Sequence, residues 1–216
     1  KASLMIVSYP NNPTGATADD RFYEELIAFA RRYDIAVLHD NAYSELVFDG
    51  PLGKSFLSYP GAKDVGVELA GARLGVLVGN AQLIEGYKIL KSNMDYGIFL
   101  PIQKAGVVAL NENQNCVETT RQTYIHRRNL MVRCFHEAGW QIRPNRATMF
   151  LWARIPQGYA DSEAFALALL KHCGIIVTPG TSFGREGERY VRIALVVEDA
   201  QIEEAGRRLK ESRLFR

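Results

Sequence analysis

Two short polar clusters hold the groups with which this chain could bind a small ligand. Asn11-Asn12-Pro13-Thr14-Gly15 follows closely on an apolar run, Leu4-Met5-Ile6-Val7, and Asp40-Asn41-Ala42-Tyr43 follows another, Ile35-Ala36-Val37-Leu38. Each run has the length and continuous apolarity of a strand buried in a parallel sheet. Ligands of open α/β sheets bind at the carboxyl ends of the strands. An amide, a carboxylate and a phenol therefore fall where binding is expected. Taken alone, each element also has a plainer reading. Asn-Pro-Thr-Gly is a common turn, and Asp40 could cap a helix or sit on the surface. Arg73 and Arg192, beside and within strand-like runs, read by themselves as surface ion-pair partners.

The elements that must position these groups follow from periodicity. Between the two runs, Phe22, Leu26, Ile27, Phe29 and Ala30 recur at helical spacing to about Tyr33. Thr17 is the expected cap, with Asp19 and Asp20 in the first turn, where acidic groups favour the helix dipole. Strand, helix, strand in that order is a βαβ unit and implies a parallel sheet. A possible strand at 64–68 and a clear one at 74–78 follow, then helices over 81–90, 101–110 and about 115–138. After Gly139 the pattern becomes α+β: strands at 149–153, 175–177 and 190–195, and helices over 162–173 and 200–211. The expected fold is α/β, in two domains, residues 1–118 and 119–216, joined through the long helix.

Composition excludes several classes. The chain has 216 residues, 47% hydrophobic, with a formal net charge of +2. That charge offers no attraction for nucleic acid or an acidic membrane, and the longest apolar runs are far too short to span a bilayer. No leader pattern begins the chain at Lys1, so secretion is not expected. Cys116, Cys134 and Cys173 lack metal-ligand spacing, so no metal site is expected and the thiols read as reduced, packed residues of a cytoplasmic protein. His126, His136 and His172 read as structural. His39 reads as packing or supporting its neighbour Asp40, and Trp152 as core.

Taken together and in order, the clusters resemble a known family. Ser8-Tyr9-Pro10-Asn11-Asn12-Pro13-Thr14-Gly15, then His39-Asp40-Asn41-Ala42-Tyr43-Ser44-Glu45, resemble the large-domain signature of the class I/II aminotransferases. Ala70-Gly71-Ala72-Arg73-Leu74-Gly75 is similar to the segment after that family's cofactor lysine, and Tyr190-Val191-Arg192-Ile193-Ala194 to its substrate-carboxylate strand. The resemblance implies a partial fold type I architecture, with a mostly parallel sheet from the large domain and a smaller α+β C-terminal domain. It implies pyridoxal 5'-phosphate as cofactor and transfer of an α-amino group between an amino acid and a 2-oxo acid. Asp40 would then pair with the pyridinium nitrogen, with Tyr43 as the second catalytic group. Asn12 and Tyr43 would bond the phenolic oxygen, Arg73 the phosphate, and Arg192 the substrate α-carboxylate. The stretches 40–50 and 60–66 are similar to the branch holding the LL-diaminopimelate and alanine aminotransferases, and a cytoplasmic homodimer is expected of the full-length protein. Gly180 and Gly184 read as turn glycines near the site entrance.

One required group is missing. The family's Schiff-base lysine lies in a loop before the phosphate-binding arginine, and Glu68-Leu69-Ala70-Gly71-Ala72-Arg73 leaves no room for it. The expected explanation is a loop carried by the parent protein but absent from this sequence. A chain without that lysine is expected to be inactive and without cofactor. The alternatives are a PLP-dependent C–S β-lyase, which shares the fold, or a non-catalytic binding or regulatory domain of the same fold.

Overall fold

A computed structural model describes residues 2–70, 74–95 and 97–215. The chain divides into two compact units. The first comprises 1–10, 17–47 and 51–118, and the second comprises 11–16, 48–50 and 119–216.

The first unit is built on a four-stranded sheet in the order β1-β2-β3-β4, with β1 at Leu4–Ser8, β2 at Ala36–Asp40, β3 at Gly66–Ala70 and β4 at Val76–Gly79. β1, β2 and β3 run parallel, while β4 pairs antiparallel with β3. The register sets Ser8 opposite Asp40, and His39 opposite Glu68. Helix α1, Asp20–Tyr33, covers one face, packing Tyr23, Leu26, Ile27 and Ala30 against Val37, Phe56 and Ala62. Leu4 and Ile6 of β1 and Leu69 of β3 stay exposed; alternation along the strands puts them on the opposite face. A short helix α2, Ala62–Val65, leads into β3, so the strand expected at 64–68 is displaced to 66–70. The later helices are α3, Ala81–Met94, and α4, Leu100–Asn111.

Two expectations about α1 need correction. Its cap is Asp19, whose Oδ1 accepts from the Phe22 amide at 2.9 Å, rather than Thr17. Its buried stripe includes Tyr23 and excludes Phe29, which stays exposed. The aromatic ring at 23 falls on the stripe one residue along from Phe22, and its hydroxyl has a buried partner.

The boundary between the units falls within α5, Asn115–Glu137. The second unit carries a three-stranded antiparallel sheet, β5-β7-β6, of Phe150–Arg154, Tyr190–Ala194 and Thr178–Pro179. Helices α6, Ser162–Cys173, and α7, Asp199–Ser212, pack with α5 on its inner face, formed by Leu151, Ala153, Val191 and Ile193. The strand expected at 175–177 is displaced to 178–179, and Ile176 is 82% exposed. Three apolar residues in a row mimic a strand, but only the following pair reaches β7. Cys173 is buried, whereas Cys116 is exposed and not packed as expected.

Candidate functional site

β2 delivers Asp40 at its carboxyl end, and the next residues deliver Tyr43 ahead of a short turn at 44–46. Asp40 is half-buried, and the Ser8 hydroxyl donates to its Oδ2 at 3.4 Å across the β1–β2 register. Both neighbours of Asp40 are fixed by one buried carboxylate. His39 Nδ1 lies 3.0 Å from Glu68 Oε2, Asn41 Nδ2 donates to Glu68 Oε1 at 3.2 Å, and the Phe56 amide donates to Oε2 at 2.6 Å. Tyr23 Oη lies 3.1 Å from His39 Nε2. With Tyr23 donating and His39 Nδ1–H donating, the two His39 bonds, to Tyr23 and to Glu68, are both satisfied. Burial acts to raise the Glu68 pKa, but the donors from His39, Asn41 and Phe56 outweigh it and hold the carboxyl below its usual range. Burial first, then the Glu68 charge, pushes the Tyr23 phenol up to about 12. The cluster was not legible in sequence, apart from a lone Glu inside an apolar strand, because its members meet only through sheet pairing.

The second unit holds Asn12 and Arg192. The loop at 11–16 closes on itself: the Asn11 amide donates to Ala16 O at 2.9 Å and Asn11 Oδ1 accepts from Thr14 Oγ1 at 2.7 Å. Gly15 sits at φ +68°, where a Cβ would come within 2.9 Å of the Ala147 carbonyl, so only glycine fits. This places Asn12 so that its Oδ1 accepts from Arg192 Nη1 at 3.1 Å. The Arg192 guanidinium also lies against two rings, with Cζ 4.3 Å from the Phe150 centroid and 4.7 Å from that of Phe183. Trp152, opposite Arg192 in the β5–β7 register, is half-buried rather than core. Strand alternation sets it on the Arg192 face, where it stacks on Tyr190 and meets Phe183 edge-on. Phe150 and Phe183 were missed from sequence. Phe150 could have been found from its position two residues before Trp152, on the same strand face.

Arg73 lies outside the described residues. Gly180 and Gly184 form the turns expected of them, Gly184 at φ +116°. His126 pairs with Asp199 at 2.9 Å on the surface and His136 bonds the Ile142 carbonyl at 2.6 Å. Among the described residues, no group of His, Cys, Asp and Glu is arranged to hold a metal ion.

A mostly parallel α/β sheet with an Asp at a strand's carboxyl end, and a separate α+β unit presenting an Asn–Arg pair, are features of fold type I aminotransferases. Residues 1–209 match the family model of aminotransferase class I and II, and the chain belongs to that family. It is similar to the LL-diaminopimelate aminotransferase of Moorella thermoacetica, 43% identical over 219 residues, covering 97% of this chain and 56% of that protein. The enzyme of the same name from Halothermothrix orenii is 45% identical over 221 residues, with 98% and 57% covered. Among solved structures, apo-BacF from Bacillus subtilis superposes with a TM-score of 0.94 at 34% identity, covering 99% of this chain and 56% of that one. An aminotransferase from Staphylococcus aureus gives 0.90 at 32% identity, covering 99% and 59%. This chain thus spans little more than half the length of the relatives it matches. The Moorella alignment of 219 residues draws on only 97% of 216, so that relative carries residues this chain lacks.

Proposed function

We propose that the parent protein of this chain is a pyridoxal-phosphate-dependent aminotransferase that moves an α-amino group from an amino acid to a 2-oxo acid. The observation that carries the reading is Arg192, tied to Asn12 and packed on aromatic rings in a chain of this family. The donor set of the first unit fits the cofactor's non-covalent needs, since a carboxylate and a phenol follow one another at the carboxyl end of β2.

Bound, pyridoxal phosphate supplies an electron-accepting ring for the pair left when the substrate Cα–H bond breaks. Asp40 would hold a proton at the ring nitrogen, with Ser8 limiting rotation of its carboxylate. Asn12 and Tyr43 would hydrogen-bond the phenolic oxygen, and Arg73 would receive the phosphate. Arg192 would grip the α-carboxylate, so that the Cα–H bond is presented in one orientation. Residues 1–118 would belong to the cofactor-binding domain and 119–216 to the small domain. The lysine that tethers the cofactor and moves the Cα proton would come from the segment missing between Glu68 and Ala70.

The relatives' names support LL-diaminopimelate as the amino donor, and the full-length protein is proposed to be a cytoplasmic homodimer that binds neither nucleic acid nor membrane. Among the described residues, no helix is long and apolar enough to cross a membrane. A second reading, a non-catalytic domain of the same fold, is favoured by the missing lysine if the gene itself lacks it. The test is to supply full-length protein, pyridoxal phosphate, LL-diaminopimelate and a 2-oxo acid, and to assay the new amino acid. Its appearance supports the aminotransferase. Pyruvate and ammonia from cystathionine without an acceptor would indicate a C–S β-lyase, and no turnover at all would favour the non-catalytic reading.

A further inference from the structure

The geometry points to Phe183 as a specificity-determining residue that makes Arg192 select planar carboxylates over tetrahedral sulfonates and phosphonates. This rests on reading Arg192 as the carboxylate site. A guanidinium donates only in its own plane, and a carboxylate can lie in that plane and take two parallel hydrogen bonds. In this chain one in-plane donor, Nη1, is already given to Asn12 Oδ1. The aromatic rings at 4.3 Å and 4.7 Å from Cζ stand at contact distance and leave no layer for an oxygen between ring and guanidinium. An anion must therefore approach along the remaining edge and keep its oxygens in the plane. A tetrahedral head group projects an oxygen out of the plane, into space the rings occupy.

Phe183, rather than Phe150, is the residue that tunes this. Phe150 is 9% exposed and anchored in β5, whereas Phe183 is 38% exposed and arrives from a turn at 180–183. That turn is held by two glycines whose backbones abut. A Cβ on Gly180 would collide with the carbonyls of Gly187 and Tyr190, and one on Gly187 with the carbonyl of Gly180. The ring is further braced edge-on against Trp152 at 5.8 Å and 84°, and Trp152 is itself stacked on Tyr190 at 5.3 Å and 7°. A ring fixed from its backbone and from its edge has a definite place over the arginine and can act as a steric filter.

The experiment follows the Arg192 Nε–Hε resonance of the 216-residue chain by NMR, assigned by its loss in Arg192→Lys. Acetate and methanesulfonate are titrated separately at matched ionic strength. Wild type is expected to bind acetate about fivefold more tightly than methanesulfonate, the scale of one aromatic–guanidinium contact. Phe183→Ala and Phe183→Leu are expected to bring the two anions within about twofold, and Phe183→Tyr to keep the preference. Circular dichroism and the resonances of the β5–β7 sheet report whether each variant is folded, and the leucine variant stands in if the alanine one is not. Acetate binding with a preference unchanged in the folded alanine or leucine variant would overturn the role of Phe183 and leave the carboxylate site intact. An Arg192 resonance that acetate does not move in wild type would overturn the carboxylate site and the selectivity with it.

Discussion

Removing the Glu68 carboxylate is expected to destabilise the first unit more than almost any other single change in it. In Glu68→Ala the His39 Nδ1–H, the Asn41 side-chain amide and the Phe56 amide lose their common acceptor at once. Each orphaned buried donor costs about 1–3 kcal/mol, and partial relaxation keeps the sum near 3–5 kcal/mol. That is a large part of the ~5–15 kcal/mol that stabilises a typical domain. Glu68→Gln keeps one oxygen acceptor but turns an NH2 toward a donor, so its cost is expected to be about 1–2 kcal/mol. Urea unfolding followed by circular dichroism measures both values. Hydrogen exchange at the Phe56 backbone amide and the Asn41 side-chain amide shows where protection is lost. Both tryptophans, Trp140 and Trp152, lie in the second unit and report on that unit separately. The sign of the pH dependence follows from the lowered Glu68 pKa. Its contribution is fully present above the ordinary value of 4.5 and is lost as pH falls below it through the depressed native value. A Glu68→Ala cost below about 1 kcal/mol would show that Glu68 does not hold these groups, because three buried donors cannot all be orphaned so cheaply.

Other outcomes follow from the same geometry. Gly15→Ala, at φ +68° and against the Ala147 carbonyl, is expected to cost about 1–3 kcal/mol, read as a lowered melting temperature by tryptophan fluorescence. Asp19→Ala removes the cap of α1 and is expected to cost about 1 kcal/mol in urea unfolding. Tyr23 should remain un-ionised in an ultraviolet titration until about pH 12. Since its ordinary value is 10.0, stability should fall between those pH values, where the unfolded chain ionises first.

The βαβ start and the amphipathic helix at 162–173 were legible because their signals are local. Continuous apolar runs end in polar clusters, and the amphipathic pattern over 162–173 coincides with α6, which Asp161 and Gly174 cap. The failures come from non-local causes. The run at 175–177 has strand composition, yet pairing with β7 begins at Thr178, and no residue in the run announces that offset. Trp152 reads as core by size alone, whereas strand alternation puts Leu151 and Ala153 inside and Trp152 on the Arg192 face. Asn12 and Arg192 were legible as separate motifs. Their hydrogen bond, across 180 residues of chain, was not. The Glu68 cluster is of the same kind, since Tyr23, His39 and Glu68 meet only once α1 is laid on the sheet.

The measurement closest to the central claim is chemical. Protein purified from its source is incubated with pyridoxal phosphate, reduced with borohydride, weighed intact and mapped by peptide mass. The expected result is a mass well above the 24.2 kDa of this chain and a phosphopyridoxyl-lysine in a peptide between Glu68 and Arg73. A mass of 24.2 kDa with no modified lysine would contradict it, and transamination would be abandoned for this polypeptide.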